Sequence, residues 1–170
     1  MKKILVLGCP GSGKSTLSRR LGPLLDIPVV HMDKLFWTPG WVSILRDALI
    51  RKLEAELRKD SWVIDGNFSA TLPMRLEAAD TAIYLDHSSL SCVLRVLRRV
   101  LTSLGRVRPD MGEGCPERFD LAFLRFVWSF RKTHRADMLR ALDAFKANGG
   151  KVILLKNDRE TEAFLKSLQA

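Results

Sequence analysis

The sequence predicts a three-layer α/β/α fold built on a five-stranded parallel sheet. Short apolar runs recur at residues 4–7, 28–31, 62–64, 81–85 and 151–155 without the polar alternation of a half-exposed strand. Stretches with apolar residues three and four apart separate them, which is helical spacing. The first run also leads straight into Gly8-Cys9-Pro10-Gly11-Ser12-Gly13-Lys14-Ser15-Thr16, a glycine-rich turn placed between a strand and a helix. Strands alternating with helices imply a parallel sheet covered on both faces.

Along the chain, Leu17, Leu21, Leu24 and Leu25 mark the first helix, perturbed near its end by Gly22-Pro23. Pro28 to His31 is a short buried strand. Leu45, Leu49, Leu53 and Leu57 form the stripe of the next helix, with Arg46, Asp47, Arg51, Lys52, Glu54 and Glu56 on its other faces. Trp62-Val63-Ile64 ends at Asp65-Gly66, and Thr81 to Leu85 ends at Asp86. A long helix carries Leu90, Val93, Leu94, Leu97, Val100, Leu101 and Leu104 on one side. Residues 105–116, rich in Gly, Pro and Arg without periodicity, read as a mobile loop. Residues 119–147 are helical again, stopped by Asn148-Gly149-Gly150. A fifth strand over 151–155 precedes a last helix, which Asn157 and Glu160 would open as a capping box. No linker or repeat divides residues 1–170, so one domain is expected.

The spelling Gly8-x-x-x-x-Gly13-Lys14-Ser15 is that of a phosphate-binding loop. Gly8, Gly11 and Gly13 allow backbone conformations closed to other residues, so successive N–H groups can turn toward a polyphosphate. The helix starting near Lys14 adds its positive dipole end. Lys14 would reach the β- and γ-phosphates of a nucleoside triphosphate, and the Ser15 hydroxyl would ligand Mg²⁺. Cys9 is either a thiol activated by the helix end or a small spacer.

In parallel sheets ligands bind beyond the carboxyl ends of the strands. Asp65 is therefore a candidate acid for Mg²⁺, or else part of a simple Asp-Gly turn. Asp33, after His31-Met32, could orient or deprotonate an acceptor hydroxyl, or cap the helix that follows. His31 reads as a satisfied histidine on a buried strand, and Asp86 as a helix cap. Phe36 and Trp37 could stack on a planar acceptor or pack a turn. Arg95 and Arg99, one helical turn apart, could clamp ATP phosphates or adenine, or form a solvated basic face.

Composition is ordinary for a globular protein, 46% hydrophobic and 28% charged. No run reaches the roughly 18 apolar residues that span a bilayer. Met-Lys-Lys with five apolar residues before the loop does not read as a cleaved signal peptide, and three scattered cysteines argue against disulfides and zinc. A reducing cytoplasm is expected. The net charge of +9, concentrated in Arg95, Arg98, Arg99, Arg106, Arg108, Arg118, Arg125, Arg131, Lys132, Arg135 and Arg140, fits either a triphosphate-binding enzyme or weak nucleic-acid binding.

The phosphate loop, Trp62-Val-Ile-Asp-Gly-Asn67, Arg95-x-x-x-Arg99 and the basic loop after it resemble the nucleoside monophosphate kinase branch of P-loop NTPases. His31-Met-Asp-x-Leu-Phe-Trp37, Pro39-Gly-Trp41, Asp65-Gly-Asn67 and Gly114-Cys-Pro-Glu117 are more specifically similar to adenylate-kinase-related DNA topology modulation proteins. The resemblance implies a P-loop NTPase fold with ATP at residues 8–16 and Mg²⁺ on Ser15 and Asp65. It implies catalytic roles for Lys14, Arg95 and Arg99, with Asp33 facing the acceptor. Residues 105–118 would be a short helical lid, Lys156 and Asn157 would edge the adenine, and Arg131 and Arg135 would return toward the substrate. The chain departs from adenylate kinases in its short lid and in residues 33–61, the acceptor side, expected as one turn plus one helix. The implied activity is transfer of the γ-phosphoryl group of ATP to a small acceptor, nucleotide-like or other. The alternatives are an ATP-gated nucleic-acid-binding protein and a slow NTPase.

Overall fold

The structure, a computed structural model, describes residues 1–169. The chain runs β1 (Lys3–Gly8), α1 (Lys14–Leu25), β2 (Val29–His31), α2 (Met32–Phe36), β3 (Trp37–Thr38), β4 (Val42–Ser43) and α3 (Arg46–Leu57). It continues through β5 (Trp62–Asp65), α4 (Leu72–Ala78), β6 (Thr81–Leu85), α5 (Ser89–Ser103), α6 (Leu121–Ala147), β7 (Lys151–Leu155) and α7 (Asp158–Ser167). Five strands pair in parallel in the order β2-β5-β1-β6-β7. β3 and β4 form a separate antiparallel hairpin.

Side chains alternate across each strand. Ile4 and Val6 of β1 face Leu17 and Leu21 of α1 and Leu165 of α7, while Leu5 and Leu7 face Leu53 of α3, Leu76 of α4 and Leu142 of α6. Both faces are dry, which is why the strands read as unbroken apolar runs. Burying each such leucine or isoleucine contributes about 1.5–3 kcal/mol. The register sets Val6 and His31 on either side of Asp65, so β1, β5 and β2 end together at one edge.

Three segments differ from the sequence expectation. Residues 69–78 hold a 3₁₀ turn and α4, seven residues long with Pro73 in its first turn, too short to show a periodic stripe. The stretch expected as one turn before α3 is α2 plus the β3–β4 hairpin; two-residue strands leave no alternation to read. Pro23 lies in the last turn of α1, near its end as expected, and Gly22 is required because a Cβ there would stand 2.5 Å from Cγ2 of Val29. Finally, α5 does not bury one leucine-rich side. It buries Cys92, Val96 and Val100 against the glycine-rich loop and α6, and leaves Leu90, Leu94, Leu101 and Leu104 exposed.

Residues 105–116, read as a mobile loop, and the 105–118 segment, expected as a short helical lid, are not helical and fold back to bury Asp110, Met111, Cys115 and Glu117. The segment between α5 and α6 is made of turns and two isolated bridges, Leu104 with Glu117 and Val107 with Pro116. Among the described residues, no helix is long and apolar enough to cross a membrane.

Candidate active site

β1 delivers Gly8 and α1 starts at Lys14, with the glycine-rich turn between them. Gly8, Gly11 and Gly13 have φ of 144°, 83° and 97°, conformations that side chains disfavour. Space is equally restrictive: a Cβ on Gly8 would lie 2.7 Å from the Leu85 carbonyl, and one on Gly11 2.5 Å from that of Cys92. Lys14 Nζ donates to the carbonyls of Gly8 (2.9 Å) and Cys9 (3.0 Å). Burial pulls the Lys14 ammonium below its usual pKa, and the nearby carboxylates of Asp33 and Asp65 oppose that shift. Cys9 is buried, with Sγ donating to the Val127 carbonyl (3.6 Å), and the neighbouring Cys92 thiol and burial push its pKa up, the opposite of what an activated thiol needs. Thr16 is exposed beyond the turn.

Asp65 ends β5 and is buried, with Oδ2 2.6 Å from Nδ1 of His31 on the neighbouring strand. His31 thus orients the acid. Asp33 sits in the first turn of α2, where no side chain caps the helix. Its carboxyl is held above the usual range by burial and by the charge of Asp65, against the pull of Lys14. Asp86 is not a cap either: Ser88 caps α5 by accepting from the Ser91 N–H, and Asp86 instead accepts two hydrogen bonds from Arg135 Nε and Nη2 (2.9 and 2.7 Å). Arg131 stands 3.7 Å from the same carboxylate, so Arg131 and Arg135 of α6 are both engaged at the end of β6.

The 105–118 segment closes over this edge and is fastened to the β3–β4 hairpin. Gly40 N donates to Gly114 O (2.9 Å), and Trp41 Nε1 donates to Pro116 O (3.1 Å). A Cβ on Gly112 would stand 2.1 Å from the Trp37 carbonyl. Phe36, Trp37, Trp41 and Phe68 form a chain of edge-on aromatic contacts with centroids 4.8 to 5.6 Å apart, and Arg118 lies over the Trp41 ring at 5.0 Å. Trp41 holds φ of 63°, a costly conformation for an aromatic residue that its docked indole maintains.

Charge continues inward from there. Glu117 takes Arg99 Nη2 on one oxygen (3.0 Å) and Arg108 Nε on the other (2.8 Å), and Arg108 Nη1 also meets Asp110 at 2.6 Å. Burial alone would raise the Asp110 carboxyl, but the Arg108 guanidinium and hydrogen bonding to the carboxylate hold it below the usual range. A line of paired charges therefore runs from Arg99 of α5 through Glu117 and Arg108 to Asp110 within the closing segment. Arg95, by contrast, reaches Ser12 O (3.1 Å) and Asp158 (2.8 Å) at the start of α7. There Asn157 caps α7 as expected by accepting from Glu160 N (2.9 Å), while the Glu160 carboxylate accepts not from the Asn157 N–H of a full capping box but from Lys156 N (2.7 Å).

Five residues of this edge received no role from sequence reasoning. Arg108 and Asp110 lie in a stretch without periodicity, and Glu117 and Asn67 appeared only inside motifs. Asn67 Nδ2 donates to Gly8 O (2.8 Å) while its Oδ1 accepts from Gly8 N (3.1 Å), a two-point clamp on the first residue of the turn. Arg75, wholly buried, holds the clamp by donating to the carbonyls of Gly66 (2.7 Å), Asn67 and Phe68 (3.0 Å). Burial lowers its guanidinium to about 10. The signal would have been a lone arginine on a helix whose other inward residues are leucines.

The residues fit a magnesium-bound triphosphate. Gly8, Gly11 and Gly13 hold the positive φ of a turn whose N–H groups can face an anion, Ser12 Oγ is buried without a partner, and Ser15 and Asp65 offer the hard oxygen donors that Mg²⁺ prefers. No protein-family model matches the chain, and neither does the sequence of any curated protein. Solved structures do. The chain is similar to a shikimate kinase from Acinetobacter baumannii in complex with shikimate, at 17% identity, over 99% of this chain and 91% of that one, with a TM-score of 0.55. It is similar to a gluconokinase from Sinorhizobium meliloti 1021 at 15% identity, over 98% of this chain and 93% of that one, with a TM-score of 0.53. Five parallel strands, flanking helices and a phosphate loop after β1 give this chain the α/β fold of P-loop kinases.

Proposed function

We propose that the protein is an ATP-dependent, Mg²⁺-requiring phosphotransferase acting on a small molecule with a free hydroxyl. The observation that carries this reading is the electrostatic grouping of Lys14 with two strand-end carboxylates, Asp65 and Asp33, one tethered to His31 and the other free of any cap. Phosphoryl transfer asks a protein for positioning and charge neutralisation more than for covalent chemistry. Residues 8–16 would hold the triphosphate, with Lys14 on its β- and γ-phosphates. Ser15 and Asp65 would hold Mg²⁺, which when bound supplies neutralisation of the charge shared between those phosphates. Asp33 orients the acceptor hydroxyl and takes its proton at the carboxylate. Residues 105–118 act as the lid and exclude water, and Arg95 and Arg99 support the nucleotide side. Residues 33–61 form the acceptor side within a single domain spanning 1–170. The fold likeness to kinases of shikimate and of gluconate supports a small acceptor without naming it.

The finer resemblance, to adenylate-kinase-related DNA topology modulation proteins, rests on the motifs quoted above, and the +9 charge favours nucleic-acid binding as a second reading. Ion pairs weaken that second reading. Arg95, Arg99, Arg108, Arg118, Arg131, Arg135 and Arg140 engage carboxylates, leaving Arg98, Arg106, Arg125 and Lys132 of the basic cluster without one among the described residues. Release of ADP by purified protein, screened over nucleotides, nucleosides and small alcohols with and without duplex DNA, separates the readings. An acceptor that raises turnover well above the Lys14→Ala background supports the kinase; stimulation by DNA alone, or none at all, defeats it.

A further inference from the structure

Asp33, the carboxylate that the proposed function sets against the acceptor, sits among more negative charge than positive. The charges acting on it are those of Lys14 and Arg108 on one side and Asp65 and Asp110 on the other. With Asp33 itself, three carboxylates stand against two cations. Lys14 holds the carbonyls of Gly8 and Cys9 and, in the proposed function, serves the triphosphate. Arg108 places Nη1 2.6 Å from Asp110 and Nε 2.8 Å from Glu117, and Glu117 also takes Arg99 at 3.0 Å. Asp110 is 5% exposed and Glu117 6%, so turning Arg108 toward a bound anion would leave buried carboxylates without their partner, which is strongly unfavourable.

The other cations near this edge are held elsewhere. Arg75 is wholly buried and donates to the carbonyls of Gly66, Asn67 and Phe68. Arg131 and Arg135 meet Asp86 after β6, and both β5 and β1 lie between that strand and β2, which leads into Asp33. Three strand spacings separate the two strand ends by about 14 Å. Lys34, next to Asp33 in α2, is exposed. Phe36, three positions after Asp33, shares its face of α2 and packs edge-on against Trp37, and both rings are half-buried.

We infer that the acceptor is an uncharged polyhydroxylated ring, free or as the ribose of a nucleoside, and that the same ring bearing a phosphate or carboxylate is rejected. The inference rests on the proposed phosphotransferase and names the class of compound on which it acts. A carboxylate accepts hydrogen bonds from hydroxyl groups and asks for no cation. Beside it, aromatic rings give apolar surface to the C–H faces of such a ring. An anionic acceptor would instead meet an excess of carboxylates, with no free guanidinium beside Asp33 among the described residues, and like charges in a poorly hydrated site repel strongly. In the transfer, the acceptor oxygen bonds to the γ-phosphorus as the β–γ bridging bond breaks. ADP keeps that electron pair, and the hydroxyl proton passes to Asp33.

Matched pairs that differ by an anionic group provide the test: ribose with ribose 5-phosphate, uridine with UMP, and glucose with gluconate. Acceptor-dependent ADP release is measured with ATP and Mg²⁺, and binding to the nucleotide-free native protein by calorimetry. At least one neutral compound should raise ADP release well above the Lys14→Ala background. Its anionic partner should be turned over and bound about 10-fold more weakly. Asp110→Asn releases one contact of Arg108 and should narrow that gap, with thermal melting to show that the variant is folded; the comparison on native protein stands without it. An anionic compound that matches or exceeds its neutral partner overturns the inference and leaves the phosphotransferase in place. ADP release that no compound stimulates overturns both.

Discussion

The two halves of the candidate site are built by different means. On the nucleotide side, geometry comes from backbone: glycines at positive φ, a helix start, and carbonyls gripped by Lys14 and Asn67. On the proposed acceptor side it comes from side chains that meet across long stretches of chain, such as Trp41 with Pro116 and Phe36 with Phe68. The contrast teaches where substrate choice resides. A cradle made of backbone would accept any triphosphate and tolerate little change, while a surface assembled from side chains can be altered one contact at a time.

If that division holds, lesions should separate cleanly. Lys14→Ala should lower acceptor-dependent ADP release about 10³-fold for every acceptor tried, as expected for loss of a group that stabilises transferring charge. An acceptor-dependent loss would break the comparison. Asp33→Asn should lower turnover about 10²-fold while leaving ATP affinity by calorimetry unchanged. The same variant should be more heat-stable at neutral pH. Because burial raises the folded pKa of Asp33, the stability it contributes is complete below its unfolded value near 4 and lost as pH rises through the folded value. The amide removes that loss, so a gain in Tm at pH 7 should vanish in acid.

Smaller effects sharpen the boundary. Arg75→Leu strands the carbonyls of residues 66–68 and should cost about 2–3 kcal/mol in urea unfolding. Trp41→Phe deletes one hydrogen bond to the closing segment, about 1 kcal/mol, and should raise acceptor KM several-fold with ATP KM untouched. Asn157→Ala should destabilise by about 0.5–1 kcal/mol through the lost cap, with no change in acceptor KM.

The same asymmetry explains what was legible in the sequence. The sheet, the long helices, the glycine-rich turn after β1 and the Asn157 cap all follow from local patterns, and the structure shows each. The β3–β4 hairpin, α4 and the burial of residues 105–118 do not, because tertiary contacts stabilise them and they are too short to carry a period. α5 misled for a different reason: apolar periodicity reveals that a helix has apolar faces, not how many neighbours cover them. The charges of the site were visible as residue types, but Arg108, Asp110 and Glu117 became a group only once the segment folded back.

The Arg75 clamp has a consequence for how the molecule breathes. α4 is seven residues long, well below the length at which an isolated helix persists in water. Its arginine nonetheless fixes the loop that carries Asn67, and Asn67 fixes Gly8. Fraying of α4 therefore frees the entry to the phosphate loop in the same opening event, although the two are far apart in sequence. In amide hydrogen exchange, Gly8 should share its protection with the 72–78 helix rather than with the rest of β1, as one cooperative unit.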